Sequence, residues 1–198
     1  MRDSNRDNRH SSRGDKPDPL QSVEWCRVID QPEVGSPLVV VTEPNMHVIR
    51  LKPKPNTELQ ATGSRIYMGA DVSKKDIVED ILGFARIRDL STRASAELPV
   101  VLQQMIESSP DVFIQDFFNR AGSLNLKMHA FELLPGVGNK KAIEMVQKRG
   151  RVGWETFESL NQDCAIDAPE LLAKRFVSEI EDRGIQPRLI DLLLRKEE

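Results

Sequence analysis

Cysteines and long apolar stretches are scarce in this sequence, and each scarcity excludes a class of protein. Among 198 residues there are two cysteines, Cys26 and Cys164, and no C-x-x-C pair. This predicts two buried thiols rather than a zinc cage or a disulfide scaffold. The first apolar cluster, residues 37–41, is far shorter than the roughly 20 residues of a membrane span. The charged N-terminus lacks the apolar segment of a signal peptide. We therefore expect a cytoplasmic protein with no membrane partner.

A net positive charge is missing as well. The chain carries 28 lysines and arginines against 31 aspartates and glutamates, which gives a net charge of −3. This excludes a globally basic nucleic-acid binder, although a local basic surface remains possible because only the local field acts at a contact. The three histidines, His10, His47 and His129, share no ligand spacing with one another or with the cysteines. The sequence therefore predicts no metal site and no cofactor.

Composition and periodicity divide the chain into three parts. Residues 1–20 alternate arginine or lysine with aspartate and contain almost no apolar side chains, which predicts a disordered tail. Residues 21–90 contain short β-rich runs between prolines and glycines, a pattern that predicts a small OB-like β-barrel. Residues 91–198 follow helical spacing. The predicted fold class is α+β, an N-terminal OB-like barrel followed by an all-α helix-hairpin-helix domain.

Individual elements follow from local signals. The Ser109-Pro110-Asp111 sequence starts one helix, and Asp167 with Pro169 starts another that ends at Gly184, because capping residues and an early proline favour a helix N-terminus. Residues 187–195 fit a short helix or an added strand equally well. In the β domain, strands are predicted at residues 23–30, 38–42, 47–52 and 65–68, then a helix at 74–82 and a strand at 84–90.

The most informative segment is residues 126–149, where a Leu-Pro-Gly-Val-Gly sequence separates two predicted helices. The first helix is expected at residues 126–133, and the second is expected to be capped by Asn139 and stopped by Gly150. This pattern resembles the helix-hairpin-helix motif, whose turn reads hydrophobic-Pro-Gly-hydrophobic-Gly. The motif has a small residue four positions after its last glycine, and Ala142 stands at that position.

The chemistry of this turn points to a phosphate ligand. Glycines permit torsions and close approaches that a Cβ would block, and the N-terminus of the second helix favours an anion through its N–H groups and dipole. Six basic residues against two acidic ones lie between residues 121 and 151, so the positive charge is concentrated here. The predicted nucleic-acid-binding residues are Pro135, Gly136, Val137, Gly138, Asn139, Lys140 and Lys141.

Further motifs resemble one archaeal family. They are Glu97-Leu98-Pro99, residues 117–122 and residues 129–141, downstream of the β domain. Over roughly residues 23–184 the chain resembles the family known as domain of unknown function 655, whose members are described as RNA-binding. The resemblance implies a barrel-like domain, a helix-hairpin-helix domain and no known catalytic activity. We therefore expect a non-enzymatic protein that binds nucleic acid, RNA rather than DNA, in ribosome or translation metabolism.

Two other functions stay open. Base-excision glycosylases carry a similar turn, with a nucleophilic lysine where Lys140 stands, but Glu158 occupies the place of their aspartate. A DNA-repair or DNA-processing accessory role is therefore one alternative. A protein-interaction scaffold is the other, and it would use the acidic residues Glu170, Glu179, Glu181 and Asp182.

A single turn with few positive charges gives weak, sequence-blind affinity. A second surface is therefore expected, and barrels of this type bind strands across one face. The predicted additional contacts are Lys127, Arg50, Lys52 and Lys54.

Overall fold

A five-stranded antiparallel sheet precedes a set of helices, which confirms the α+β class. The structure, a computed structural model, describes residues 19–194, so the predicted tail lies outside the described residues except for its last two positions. The sheet curls into a half-barrel in the order β4-β1-β2-β3-β5. Its strands are β1 (Trp25–Asp30), β2 (Leu38–Glu43), β3 (Val48–Pro53), β4 (Arg65–Tyr67) and β5 (Val78–Phe84).

The sheet is open, because β4 and β5 form its two edges and the described strands contain no ladder between them. Strand β5 contradicts two predictions. The sequence predicts a helix at residues 74–82 and the last strand at residues 84–90, but residues 78–84 form the strand. Pairing with β3 decides the outcome: Ile81 lies opposite Leu51 and Val78 opposite Pro53. This non-local ladder overrides the local helical signal, and only a single 3₁₀ turn, Val72–Lys74, precedes the strand.

The two faces of the sheet belong to different hydrophobic clusters. Alternate residues of each strand point to opposite faces, and one face forms an inner cluster that includes Leu20 and Cys26. The opposite face contributes Ile29, Val41 and Val48 to a second cluster shared with the helices. Burial raises the pKa of Cys26 to about 12, and Cys26 and Cys164 are both free and buried, as the sequence predicts.

The helices follow the sheet and cover one of its faces. Within the described residues no helix is long and apolar enough to cross a membrane. A π-helical segment, Asp111–Phe118, forms after the predicted Ser109-Pro110-Asp111 start. It ends four residues before Gly122, the residue that the sequence predicts to stop this helix. The α-helices are α1 (Thr92–Glu107), α2 (Asn139–Arg149), α3 (Phe157–Cys164), α4 (Ala168–Glu181) and α5 (Leu189–Leu194).

Helix α1 lies between β1 and α4 and packs against both. Pro99 lies inside α1, although a proline is best tolerated in the first turn of a helix. The N-terminus of the helix is held by side chains: the Ser91 hydroxyl accepts from Ala94 N at 3.0 Å and donates to Asp30 Oδ2 at 3.1 Å. Arg93 Nε lies 3.4 Å from the other oxygen of the buried Asp30 carboxylate. This junction ties the end of β1 to the start of α1.

The C-terminal segment forms helix α5, which settles the choice between helix and strand. Glu179 is fully buried in α4; its two carboxylate oxygens accept from Leu189 N at 2.7 Å and Ile190 N at 3.0 Å. Arg175 Nε forms an ion pair with the same carboxylate at 2.6 Å. Glu179 therefore caps α5 and is not part of the acidic surface that the scaffold hypothesis requires.

Replacing Ser91 with alanine tests the junction between sheet and helices. Ser91→Ala removes the N-cap acceptor and a donor to the buried Asp30, so the free energy of unfolding falls by about 1–2 kcal/mol. Urea denaturation measures the loss, and Ser95→Ala, at an exposed position of the same helix, is the control. Equal effects of the two substitutions would contradict the capping role.

Candidate functional site

The segment before the turn differs from its prediction. Residues 126–133 form no α-helix; a short hairpin of β6 (Ser123–Asn125) and β7 (Met128–His129) precedes a 3₁₀ helix, Ala130–Leu133. Leu126 lies at the exposed tip of the hairpin, where Lys127 N donates to Asn125 Oδ1 at 2.8 Å. An Asn side chain that accepts a hydrogen bond within its own turn competes with helix formation. The spacing of the apolar residues does not reveal this competition.

The turn itself is held by two buried side chains. Leu134 and Val137 are buried, whereas Pro135, Gly136 and Gly138 are exposed. Val137 N donates to the Leu134 carbonyl at 3.1 Å, which closes the turn. Gly136 has φ +78°, a left-handed conformation that glycine adopts without strain. The apolar side chains therefore point into the core while the glycine backbone faces outward.

Helix α2 begins without a side-chain cap. The sequence predicts Asn139 as the N-cap, and this is wrong: the N-cap is Gly138, because Asn139 already belongs to the helix. The first intrahelical bond is from Ala142 N to the Gly138 carbonyl at 2.9 Å. Within residues 19–194 no acceptor is found for the preceding N–H groups of Asn139, Lys140 and Lys141. Such groups, together with the helix dipole, attract an anion.

The lysines of the turn are not equivalent. Lys140 is exposed and has no ion-pair partner among the described residues, whereas Lys141 is half-buried and pairs with Glu144 at 3.1 Å. Ala142, the small residue of the turn pattern, is fully buried. Lys127 is exposed on the hairpin beside the 3₁₀ helix. Lys140 is therefore the cation best placed to meet a phosphate at the helix N-terminus.

Arg149, counted among the basic residues of this region, has an internal role. Its Nη1 donates to the carbonyls of Phe118 at 3.1 Å and Ala121 at 2.6 Å. Its guanidinium also lies 5.5 Å from the centre of the Phe131 ring. Arg149 thus connects the end of α2 to the segment that precedes the hairpin. Its guanidinium already has hydrogen-bond acceptors within the protein.

The loop after α2 is fixed by Asn119. Its side chain accepts from Trp154 N at 2.9 Å and donates to the Trp154 carbonyl at 2.8 Å. A Cβ on Gly153, whose φ is +80°, would lie 2.6 Å from Asn119 Oδ1. Trp154 is buried and its Nε1 donates to Asp163 Oδ2 at 3.0 Å. Trp154 therefore packs in the core.

The predicted contacts on the sheet share one side of β3 and its end, but each has a partner within the protein. Arg50 Nη2 donates to the Asp89 carbonyl at 3.2 Å, and Lys52 pairs with Glu79 at 3.2 Å. Lys54 Nζ donates to the Lys75 carbonyl. These three cations are therefore partly engaged. Sequence reasoning assigned no role to four arginines that line one cavity of the protein, because they come from segments far apart in the chain: Arg86, Arg88, Arg183 and Arg188.

The geometry defines an α+β protein in which a half-barrel sheet is followed by helices and an exposed, uncapped helix N-terminus. The chain belongs to the family described as protein of unknown function DUF655, which matches residues 33–188. It is similar to Af1531 from Archaeoglobus fulgidus, a member of the same family whose crystal structure is known. The TM-score is 0.75 and the identity 28%, over 84% of this chain and 98% of that chain. No curated protein matches the chain.

Two glycine substitutions separate backbone strain from capping. Gly136→Ala places a Cβ at φ +78° and lowers the free energy of unfolding by about 1 kcal/mol. Gly138→Ser has the opposite effect, about 0.5 kcal/mol of stabilisation, because φ is −90°, the space is open and serine supplies the missing cap. Chemical denaturation of the two variants beside the parent measures both signs. A stabilised Gly136→Ala would contradict the left-handed turn.

His129 makes the stability of the segment before the turn sensitive to acid. Burial, and next the Arg149 charge, lower the pKa of His129 below its usual 6.5. Its Nδ1 accepts from Phe131 N at 3.1 Å, which requires that nitrogen to be unprotonated. Because the folded pKa is lowered, this stabilisation is complete above the unfolded pKa and is lost as the pH falls below about 6.5.

His129→Asn keeps a capping acceptor and removes the titration. The free energy of unfolding of the variant is therefore expected to fall less than that of the parent between pH 7 and pH 5. Denaturation curves at several pH values measure the difference, with His47, whose pKa is also lowered by burial, common to both proteins. Parallel pH profiles would show that His129 does not contribute.

Proposed function

We propose that the protein is a non-enzymatic RNA-binding protein that contacts the phosphate backbone through residues 135–141. The supporting observation is the N-terminus of α2, where three N–H groups meet no acceptor among the described residues beside the exposed Lys140. Gly136 and Gly138 leave open space around this backbone. A phosphate oxygen would satisfy these donors, and such contacts fix register without reading sequence.

Helix stability does not account for the residues found here. Lysines in the first turn oppose the helix dipole, and a serine or asparagine at position 138 would cap α2 better than glycine does. The lysines in the first turn and the glycine at the N-cap both become favourable if an anion binds there. We interpret the 3₁₀ helix, the turn and α2 as a helix-hairpin-helix motif with a short first helix, and the half-barrel as OB-like.

RNA as the ligand, and ribosome or translation metabolism as the setting, rest on the family resemblance. The non-enzymatic assignment rests on Lys140 and Glu158. Lys140 stands where glycosylases place their nucleophile, but the position of their aspartate is held by Glu158, in the first turn of α3. A DNA-processing accessory role is the second outcome that the binding experiment distinguishes.

The test compares the full chain with two variants at the turn. Lys140→Glu combined with Lys141→Glu places repulsion at the helix N-terminus and is expected to weaken binding about tenfold or more, ~1.4 kcal/mol. Each lost phosphate contact also makes the slope of log K against log salt shallower by about 0.7 to 0.9. Gly138→Ser is expected to weaken binding while it stabilises the fold, because its hydroxyl occupies the same N–H groups.

Fluorescence anisotropy measures these affinities with a ribosomal RNA fragment and with duplex DNA of equal length. Lys174→Glu, a charge reversal of the same kind at a single lysine on the exposed side of α4, is the control and is expected to keep the parent affinity. Unchanged affinity and salt slope in the double variant would exclude the turn as the contact. Tighter binding of duplex DNA than of RNA would favour the DNA-processing role.

A further inference from the structure

A large cavity opens where the sheet meets the C-terminal helices. Its volume is about 1070 Å³, and four parts of the chain line it: Pro19, the β2–β3 turn with the start of β3, residues 84–88, and the chain from the end of α4 to Arg188. Four of the lining residues are arginines, namely Arg86, Arg88, Arg183 and Arg188, against one carboxylate, Glu181. We call this cavity the arginine groove.

Several of these arginine charges are not neutralised by the protein. Arg188 Nη1 pairs with Asp191 at 3.1 Å, but its Nε is buried and meets no acceptor among the described residues. Arg88 makes only a long pair with Asp89, 4.0 Å, and is well exposed. Neither Arg86 nor Arg183 has an ion-pair partner within residues 19–194. Like charges gathered in one groove repel each other unless an anion binds between them.

The arginine groove also contains an exposed aromatic surface. Phe84 is 48% exposed, and its ring centre lies 5.4 Å from that of His47 in an edge-on arrangement. Burial, and next the charges of Arg183 and Arg188, lower the pKa of His47, so both arginines act on this ring. A neutral imidazole beside a phenyl ring suits the flat face of an unpaired base.

The arginine side of the groove is held in place by buried bonds. Arg175 Nη2 donates to the Pro187 carbonyl at 2.7 Å, and the buried Glu179 carboxylate accepts from the first N–H groups of α5. The loop that carries Arg183 and Arg188 is thus tied at its far end to α4. Pre-positioned donors lose less conformational entropy when a ligand binds.

We propose that the arginine groove binds a single-stranded segment of RNA, with its arginines on successive phosphates and Phe84 against an unpaired base. This proposal rests on the proposed function for the identity of the ligand, but it uses different residues. Arginine clusters with an aromatic face are the chemistry of single-strand recognition. The groove also replaces Arg50, Lys52 and Lys54 as the selective second surface, because those cations already have partners within the protein.

The experiment measures anisotropy of a labelled oligouridylate of about twelve nucleotides, and of an RNA duplex of equal length. Arg86→Glu combined with Arg183→Glu is expected to weaken single-strand binding at least tenfold and to make the salt slope shallower by about 0.7 per lost contact. Phe84→Leu keeps an apolar side chain but removes the ring, and a loss of about fivefold or more is expected. Both variants are expected to bind the duplex with parent affinity.

Leu82→Ala, an exposed change on the same strand, and Lys174→Glu serve as controls and are expected to bind the oligouridylate like the parent. Thermal unfolding of every variant confirms that the exposed substitutions leave the fold intact. Unchanged oligouridylate affinity in both groove variants would contradict the proposal that the groove binds single-stranded RNA. Full competition by uridine monophosphate would contradict it too, since a mononucleotide would then be the occupant.

The Lys140→Glu, Lys141→Glu variant separates this proposal from the proposed function. If it loses duplex binding while the groove variants keep single-strand binding, the turn is the contact and the groove is not. If the groove variants bind oligouridylate more weakly and the Lys140→Glu, Lys141→Glu variant keeps the parent affinity for both RNAs, the groove is the binding site and the turn is excluded as a contact. Loss in both sets supports a ligand that spans both surfaces.

Discussion

The burial of α1 between the sheet and α4 is the packing on which the rest of the structure depends. One face of α1 supplies a continuous set of buried residues from Ala94 to Ile106, and they join a cluster that also contains Ile29 and Val48 of the sheet. The buried Asp30 carboxylate, held by Ser91 and Arg93, fixes the start of the helix. Because sheet and helices share this core, the turn before α2 and the arginine groove keep defined positions on one body.

The candidate turn shows how the fold leaves backbone donors unsatisfied. Leu134 and Val137 are the anchors, and their burial forces the intervening Pro135 and Gly136 outward. The following helix then begins at Gly138 without a side-chain cap, although capping would stabilise it. Residues that lower the stability of one exposed turn, while the rest of the segment is well packed, are typical of a binding site.

Most elements with strong local signals could be predicted, and these include the first four strands of the sheet. Asp167 caps α4 as its sequence context indicates, and Gly150 ends α2 as predicted. The failures have different causes. Strand β5 forms because it pairs with β3, which is distant in the sequence. The hairpin before the turn replaces a helix because the Asn125 side chain closes it locally. The arginine groove could not be predicted, because its lining residues come from separate segments of the chain.

A count of basic residues is therefore a poor guide to where an anion binds in this chain. Arg149 is bonded to two carbonyls and Lys52 to a glutamate, so both cations are engaged within the fold. Lys140 and Arg183 remain unpaired among the described residues. Because the whole chain is slightly acidic, it has little general attraction for nucleic acid. Under the proposed function, affinity is therefore expected from places where the fold leaves cations or backbone N–H groups without internal acceptors, and the turn and the arginine groove are two such places among the described residues.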